Sequence, residues 1–199
     1  CDNHRYRELE IETRPQQSWT AVFDDRRGLA VVSTGLLESA VRDLPERPLA
    51  LTLLRSTRRT VFTDGEPNGQ LQGELRFRYW IVPLAGEPDR VRLCRLGQQL
   101  AAGLRVAQLR AEDVPLYRQA RHAPAEGGLL AVDGAAVVTS LRWVDGALEV
   151  RLFNPAATAV DPVLLFGALV RVNAAQAVDF ESKALEPAVP VAGNRMVVR

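Results

Sequence analysis

Gly73-Glu74-Leu75-Arg76-Phe77-Arg78-Tyr79-Trp80-Ile81-Val82-Pro83-Leu84-Ala85-Gly86 decides the fold class of this chain. Leu75, Phe77, Tyr79 and Ile81 fall on one face of an extended backbone, and Arg76 and Arg78 fall on the other. That period of two is what a strand packed on one side against a core requires, so the first four are predicted to point inward. Pro83 and Gly86 predict its end. Upstream, residues 28–34 (GLAVVST) form a short apolar strand closed by Gly35, and residues 49–55 (LALTLLR) a second one behind Pro48. Between that strand and the opening stretch, residues 64–69 (DGEPNG) have the turn chemistry of a long exposed loop. Downstream, Val137, Thr139, Leu141 and Trp143 alternate with Val138, Ser140 and Arg142. Asp145-Gly146 then supplies a two-residue turn of the kind that needs positive φ, and residues 148–152 return as the second arm of a hairpin. Asn154-Pro155 ends the hairpin, a further strand is predicted over 163–172, and residues 196–199 read as the start of another.

One helix interrupts the strands. From Pro88 and Asp89, the positions Leu93, Leu96, Leu100 and Leu104 recur at three- and four-residue steps, with Pro88 suited to the first turn and Gly103 to the stop. Residues 105–128 carry Pro115, Pro124 and Gly127-Gly128 with weak periodicity, which marks a domain boundary. The predicted fold is therefore mainly β, an antiparallel β-sandwich in two sandwich-like units with one principal helix. Residues 1–115 form a central sandwich portion carrying the helix at about 89–103, residues 116–128 a linker, and residues 129–199 a small C-terminal sandwich.

Composition narrows the class. With 199 residues, 47% hydrophobic and 25% charged, the chain buries a core, and a formal net charge of +1 leaves no basic stripe for nucleic acid. The longest apolar run, around 163–170, is far short of the ~20 residues that span a bilayer, so no membrane partner is expected. The opening residues Cys1-Asp2-Asn3-His4 hold no apolar signal region. A start on Cys reads as a piece cut from something longer, with lipidation of Cys1 as the alternative. Cys1 and Cys94 lie far apart without metal-type spacing, which fits reduced thiols in the cytoplasm.

Candidate chemistry is sparse. Asp24 and Asp25 are neighbours on an extended chain and point to opposite sides, so they make a poor acid and nucleophile pair and read better as a turn. Trp19, Trp80 and Trp143 are candidate stacking platforms for sugar rings, Trp80 foremost because it shares a face with Arg76 and Arg78; packing in the core or against another domain is the simpler reading. His4 and His122 read as solvated. Ser18, Ser33, Ser56 and Ser140 lie in no nucleophile elbow, Cys94 falls on the helix without a His partner, and Gly65, Gly69 and Gly73 make no phosphate-binding loop. No catalytic residue and no metal ligand is assigned, and no cofactor is expected in this chain.

Several segments resemble the C-terminal β-sandwich region of family 38 glycoside hydrolases, the retaining α-mannosidases and their bacterial relatives. Phe77-Arg78-Tyr79 with Pro83 and Gly86 is similar to the family's F-R-Y-x-x-x-P-x-x-G element. Asp24-Asp25-Arg26-Arg27-Gly28-Leu29-Ala30-Val31, continuing into Gly35-Leu36-Leu37-Glu38, is similar to D-D-x-R-G-L followed by G-L-x-E. Residues 49–55 resemble the L-x-L-T-L-x-R strand, and residues 143–155 the later hairpin that ends in R-L-x-N-P. The matches run in the family's order over most of residues 22–172.

The resemblance implies an accessory fragment of a zinc-dependent, retaining glycosidase whose catalytic barrel lies upstream. It implies zinc in that absent domain, held by His and Asp residues, and no glycosidase activity in this chain by itself. The implied partners are the missing N-terminal catalytic domain, a mannose-containing glycan and a homo-oligomer. In the family, the loop matching residues 24–28 reaches the rim of the sugar pocket. On that ground Arg27 and Gly28 are expected to line the substrate cleft, with Asp25 orienting the loop. A stand-alone carbohydrate-binding or interaction module is the alternative reading.

Overall fold

The computed structural model describes residues 13–41, 44–56, 59–60, 63–64, 70, 72–108, 110, 126–168 and 170–198. They are mainly β, with sixteen short strands in antiparallel sheets and one helix among the described residues. The chain separates into two compact units, residues 1–103 and 104–199. The linker predicted over 116–128 lies mostly outside the described residues.

In the first unit, β1 (Thr13–Pro15) pairs with β4 (Glu38–Val41), which pairs with β5 (Leu49–Leu51). The strand read over 49–55 is thus shorter, because from residue 52 the chain serves side-chain contacts: Thr52 Oγ1 and Arg55 Nη2 donate to Glu38 Oε1 at 2.6 and 2.5 Å. A second sheet has the order β2 (Trp19–Phe23), β3 (Gly28–Ser33), β8 (Tyr79–Leu84). Between them in sequence, β6 (Arg59–Thr60) pairs with β7 (Thr63–Asp64) within the loop region.

Strand β8 corrects the reading of the opening stretch. Trp80, Val82 and Leu84 are half-buried, and Val82 and Leu84 pack on the core, whereas Tyr79 and Ile81 are exposed. The inward face is the one the arginines were expected to share with Trp80. Residues 74–78 precede the ladder, and Leu75 and Phe77 are exposed with Arg76 and Arg78. Pro83 stands opposite Leu29 in a strand whose other side is a sheet edge among the described residues, a position where a missing N–H costs no ladder bond.

Helix α1 (Arg90–Ala102) closes the inner face of that sheet. Leu93 is buried with Ala30 and Val32, and Leu96, Leu100, Trp19, Ala21, Val82 and Leu84 surround them. The helix starts where Asp89 caps it: its carboxylate accepts from Arg92 N at 2.9 Å, so Pro88 sits outside the helix rather than in its first turn. It ends at Gly103, in the left-handed region at φ 63°, whose N–H reaches Gln99 O. Leu104, expected in the apolar stripe, lies beyond that cap and is almost fully exposed.

In the second unit, β9 (Leu130–Asp133) pairs with β12 (Val163–Phe166), which pairs with β16 (Arg195–Val197), which pairs with β15 (Val191–Ala192). Among its described residues Ala136, Val137, Leu164 and Met196 are buried. The strand read over 163–172 stops at Phe166. The residues read as a strand start near 196 belong instead to β16, paired on both sides. β10 (Val137–Val144) and β11 (Ala147–Phe153) form the predicted hairpin, turning on Asp145 at φ 46° and Gly146 at φ 81°. A bulge between Val138 and Ser140 shifts the register. β13 (Ala175–Val178) and β14 (Ala184–Val189) make a second hairpin. No helix among the described residues is long and apolar enough to cross a membrane.

Candidate functional site

The loop singled out by its sequence is the four-residue connection between β2 and β3. Their ladder runs from Trp19 opposite Val32 to Phe23 opposite Gly28, which leaves residues 24–27 as the turn. Asp24 orders it: Oδ1 accepts from Arg26 N and Arg27 N, both at 2.8 Å, while Asp24 N donates to Arg27 O at 2.8 Å. These backbone donors hold the Asp24 carboxyl below its ordinary pKa, with the Arg27 charge adding to the same effect. The orienting carboxylate is therefore Asp24, one residue before the Asp25 named from the resemblance. Within the turn it is the Asp24 carboxylate that takes the backbone donors.

Gly28 is where the turn needs glycine. A Cβ there would meet Phe23 Cβ at 2.5 Å and Val22 O at 2.8 Å, so β2 and β3 approach too closely for any side chain. Arg27 is left free to project, with its side chain 89% exposed and Nε 3.9 Å from Asp24 Oδ2. In solvent such an ion pair contributes little, so the guanidinium fork stays available to a ligand.

This hairpin end forms one side of a groove of about 660 Å³. Val22, Phe23, Asp24, Arg27, Gly28 and Leu29 line it from the hairpin, and Pro45-Glu46-Arg47 supply a second lip. Arg47 adopts φ 43°, and its N–H reaches Leu44 O at 2.9 Å, closing that turn. The groove brings Arg27 and Gly28 together and leaves Asp25 out of its lining. Reasoning from sequence missed the second lip, because residues 44–47 carry only a generic turn signal.

The three tryptophans go to different places. Trp19 packs on the core and donates Nε1–H to Cys94 Sγ at 3.3 Å. Trp80 is half-buried on the helix-covered face, which removes it as an exposed platform. Trp143 is 71% exposed near the tip of the β10–β11 hairpin. His4, His122 and Cys1 lie outside the described residues, and Cys94 is a free, half-buried thiol.

A second polar cluster, unanticipated from the sequence, lies in the other unit. Glu149 is buried, and its carboxylate accepts from Ser182 Oγ at 2.6 Å, from Arg142 Nε at 2.9 Å and from Arg151 Nε at 2.8 Å. The Ser182 hydrogen bond and the two arginine charges hold its pKa below the ordinary value against the cost of burial. Arg142 and Glu149 are directly opposite across the hairpin, a pairing the register alone predicts once the Asp145-Gly146 turn is placed. Among the described residues, no three His, Cys, Asp or Glu side chains converge as metal ligands, so these residues offer no donor set for a zinc ion.

No protein-family model matches the chain, and no curated protein matches its sequence. Solved structures do share its fold. One, a protein in glycosyl hydrolase family 38 from Enterococcus faecalis, superposes with a TM-score of 0.69 and 20% identity over 94% of this chain. Another, an alpha-mannosidase from Enterococcus faecalis V583, superposes with a TM-score of 0.69 and 21% identity over 96% of it. The chain spans 22% of the length of each. At such identity the likeness is one of fold, carried by nearly all of this chain and by a minor part of theirs.

Proposed function

We propose that this chain is an accessory β-rich part of an α-mannosidase-type glycoside hydrolase of family 38, and that it forms one wall of the substrate cleft. The observation that carries the reading is the superposition of almost the whole chain on 22% of two such structures. The ordered motifs of the sequence point the same way. On this reading the catalytic domain, with the zinc ion and the carboxylates of a retaining mechanism, lies outside these residues. Its neighbours are that domain, a mannose-containing glycan and further copies of the enzyme, in the cytoplasm.

Arg27 is the residue through which the wall acts. A planar guanidinium on a turn ordered by Asp24 meets vicinal sugar hydroxyls or a catalytic-domain carboxylate with two parallel donors, and Gly28 lets the two strands behind it approach closely. The test has two arms. The purified 199-residue chain is expected to leave an aryl α-mannoside unhydrolysed, and the longer polypeptide to hydrolyse it with Arg27→Ala raising KM or lowering kcat. Zinc-dependent hydrolysis by the short chain, or wild-type kinetics in the variant, refutes the assignment.

Exposed Trp143 favours one other reading, a carbohydrate-binding module acting alone. Retention of the 199-residue chain on a mannan column, abolished by Trp143→Ala, selects that reading; passage without delay removes it.

A further inference from the structure

Glu149 divides its two carboxylate oxygens between two hairpins of the second unit. Oε1 takes the donors of its own hairpin, Arg142 Nε at 2.9 Å, Arg142 Nη2 at 2.8 Å and Arg151 Nε at 2.8 Å. Oε2 accepts from Ser182 Oγ at 2.6 Å, in the turn that joins β13 to β14. Arg142 Nη2 also donates to Ser182 Oγ at 3.2 Å, and Arg151 Nη2 to Phe180 O at 3.3 Å. The carboxylate at the centre of these bonds belongs to a side chain only 8% exposed.

Burial gives the β13–β14 hairpin little hold of its own. No residue of either strand is buried: Ala175 and Val189, paired at its open end, are half-buried, and Gln176, Ala177, Val178 and residues 184–188 are exposed. The two strands pair only with each other among the described residues. With so little apolar area removed from water, the hydrogen bonds at the turn decide whether the hairpin stays in place. A two-stranded hairpin by itself is marginal in water, so one that leaves its support also frays.

We propose that the β13–β14 hairpin is a flap, hinged at Ala175 and Val189 and latched at its turn by Glu149, and that a proton on Glu149 opens it while the sheet of β9, β12 and β16 stays folded. Oε1 already accepts three N–H groups, so the proton taken from solvent goes to Oε2. Oε2 then becomes a donor, and the Ser182 hydroxyl proton loses its acceptor. The negative charge between Arg142 and Arg151 is lost as well, which leaves two guanidinium groups beside an uncharged carboxyl. The remaining charged groups stand in the turn and order it within itself: Asp179 Oδ1 accepts from Glu181 N and Lys183 N, and Glu181 pairs with Lys183 in solvent. The Ser182 bond is the foremost effect holding the Glu149 carboxyl below its ordinary value, ahead of burial, which acts the other way. That bond exists only with the flap closed, so protons favour the open form. Closure is full near neutral pH and weakens as pH falls through the carboxylate range.

Amide hydrogen exchange in the 199-residue chain, corrected for the intrinsic pH dependence of exchange, tests this from about pH 6 to about pH 3. Opening of residues 175–189, measured against β9, β12 and β16, is expected to rise at least about tenfold over that range, as the loss of a hydrogen bond to a charged group requires. Glu149→Gln should show the open level already at pH 6 and lose the pH response. Because that variant also disturbs two arginines, Ser182→Gly serves beside it: glycine accepts the φ of 65° without strain and removes the hydroxyl. It should raise opening of the hairpin at pH 6 and flatten its pH response, with the sheet unchanged. Hairpin and sheet opening together at every pH, a pH response that persists in Glu149→Gln, or wild-type protection in Ser182→Gly each overturns the proposal.

Discussion

At the scale of single residues, Asp24 and Glu149, two of the three described carboxylates held below their ordinary pKa, separate loop order from burial. Asp24 is exposed and orders a turn, whereas Glu149 is buried and binds two strands to a distant hairpin. The linkage has one sign for Glu149. Its folded pKa lies below the unfolded one, so its contribution is present above the unfolded carboxyl value of about 4.3 and is lost as pH falls through the folded value. Thermal melts taken from pH 6 down to pH 3 should show a decline that Glu149→Gln flattens, and an unchanged slope in the variant would locate the acid sensitivity elsewhere. Gly28 gives a second expectation. The Cβ of Gly28→Ala would fall 2.5 Å from Phe23 Cβ, and such overpacking costs about 1–3 kcal/mol, readable as a lower urea midpoint at constant slope. Its need for glycine was legible as a motif, but the cause, contact with Phe23 across a tight hairpin, is a tertiary fact.

Elements were more legible than their orientation. Alternation along residues 75–81 correctly announced a strand and wrongly chose its inner face, because both sets of positions within β8 are apolar and the arginines that marked polarity precede the ladder. A period of two divides a strand into faces; only the partner that covers one of them says which is inside. That partner is α1, whose own stripe was clear. Leu93 is its buried centre, so Leu93→Ala should destabilise the first unit by about 2–5 kcal/mol, with Asp89→Ala costing about 1 kcal/mol through the lost cap. Denaturant titrations of both variants check the ranking. The β10–β11 hairpin was readable in its turn and both arms, though not in its bulge, because its turn demands residues that few sequences supply by accident, whereas very short strands such as β15 carry no periodic signal.

On the scale of the whole molecule, the division into two compact units makes the effect of a core substitution local. Leu93→Ala should speed amide exchange in β2, β3 and β8 while leaving β9, β10 and β12 at wild-type rates; acceleration in both units would mean that they unfold as one. The groove was half legible: the loop carrying Arg27 stood out, but the Pro45-Glu46-Arg47 lip comes from a segment distant in sequence and dull in composition.

The contact between Trp19 and Cys94 has an optical consequence. A thiol sulfur accepting from an indole N–H at 3.3 Å is an effective quencher of its excited state, so Trp19 should be dark while the helix lies on its sheet and brighten as that contact opens. Trp143, bathed in water, emits at the red end throughout. The molecule thus carries a built-in emission reporter for the seat of α1, read as a gain in intensity over the emission of Trp80 and Trp143 and assigned by its loss in Trp19→Phe, and no dye or label is needed to watch the first unit come apart.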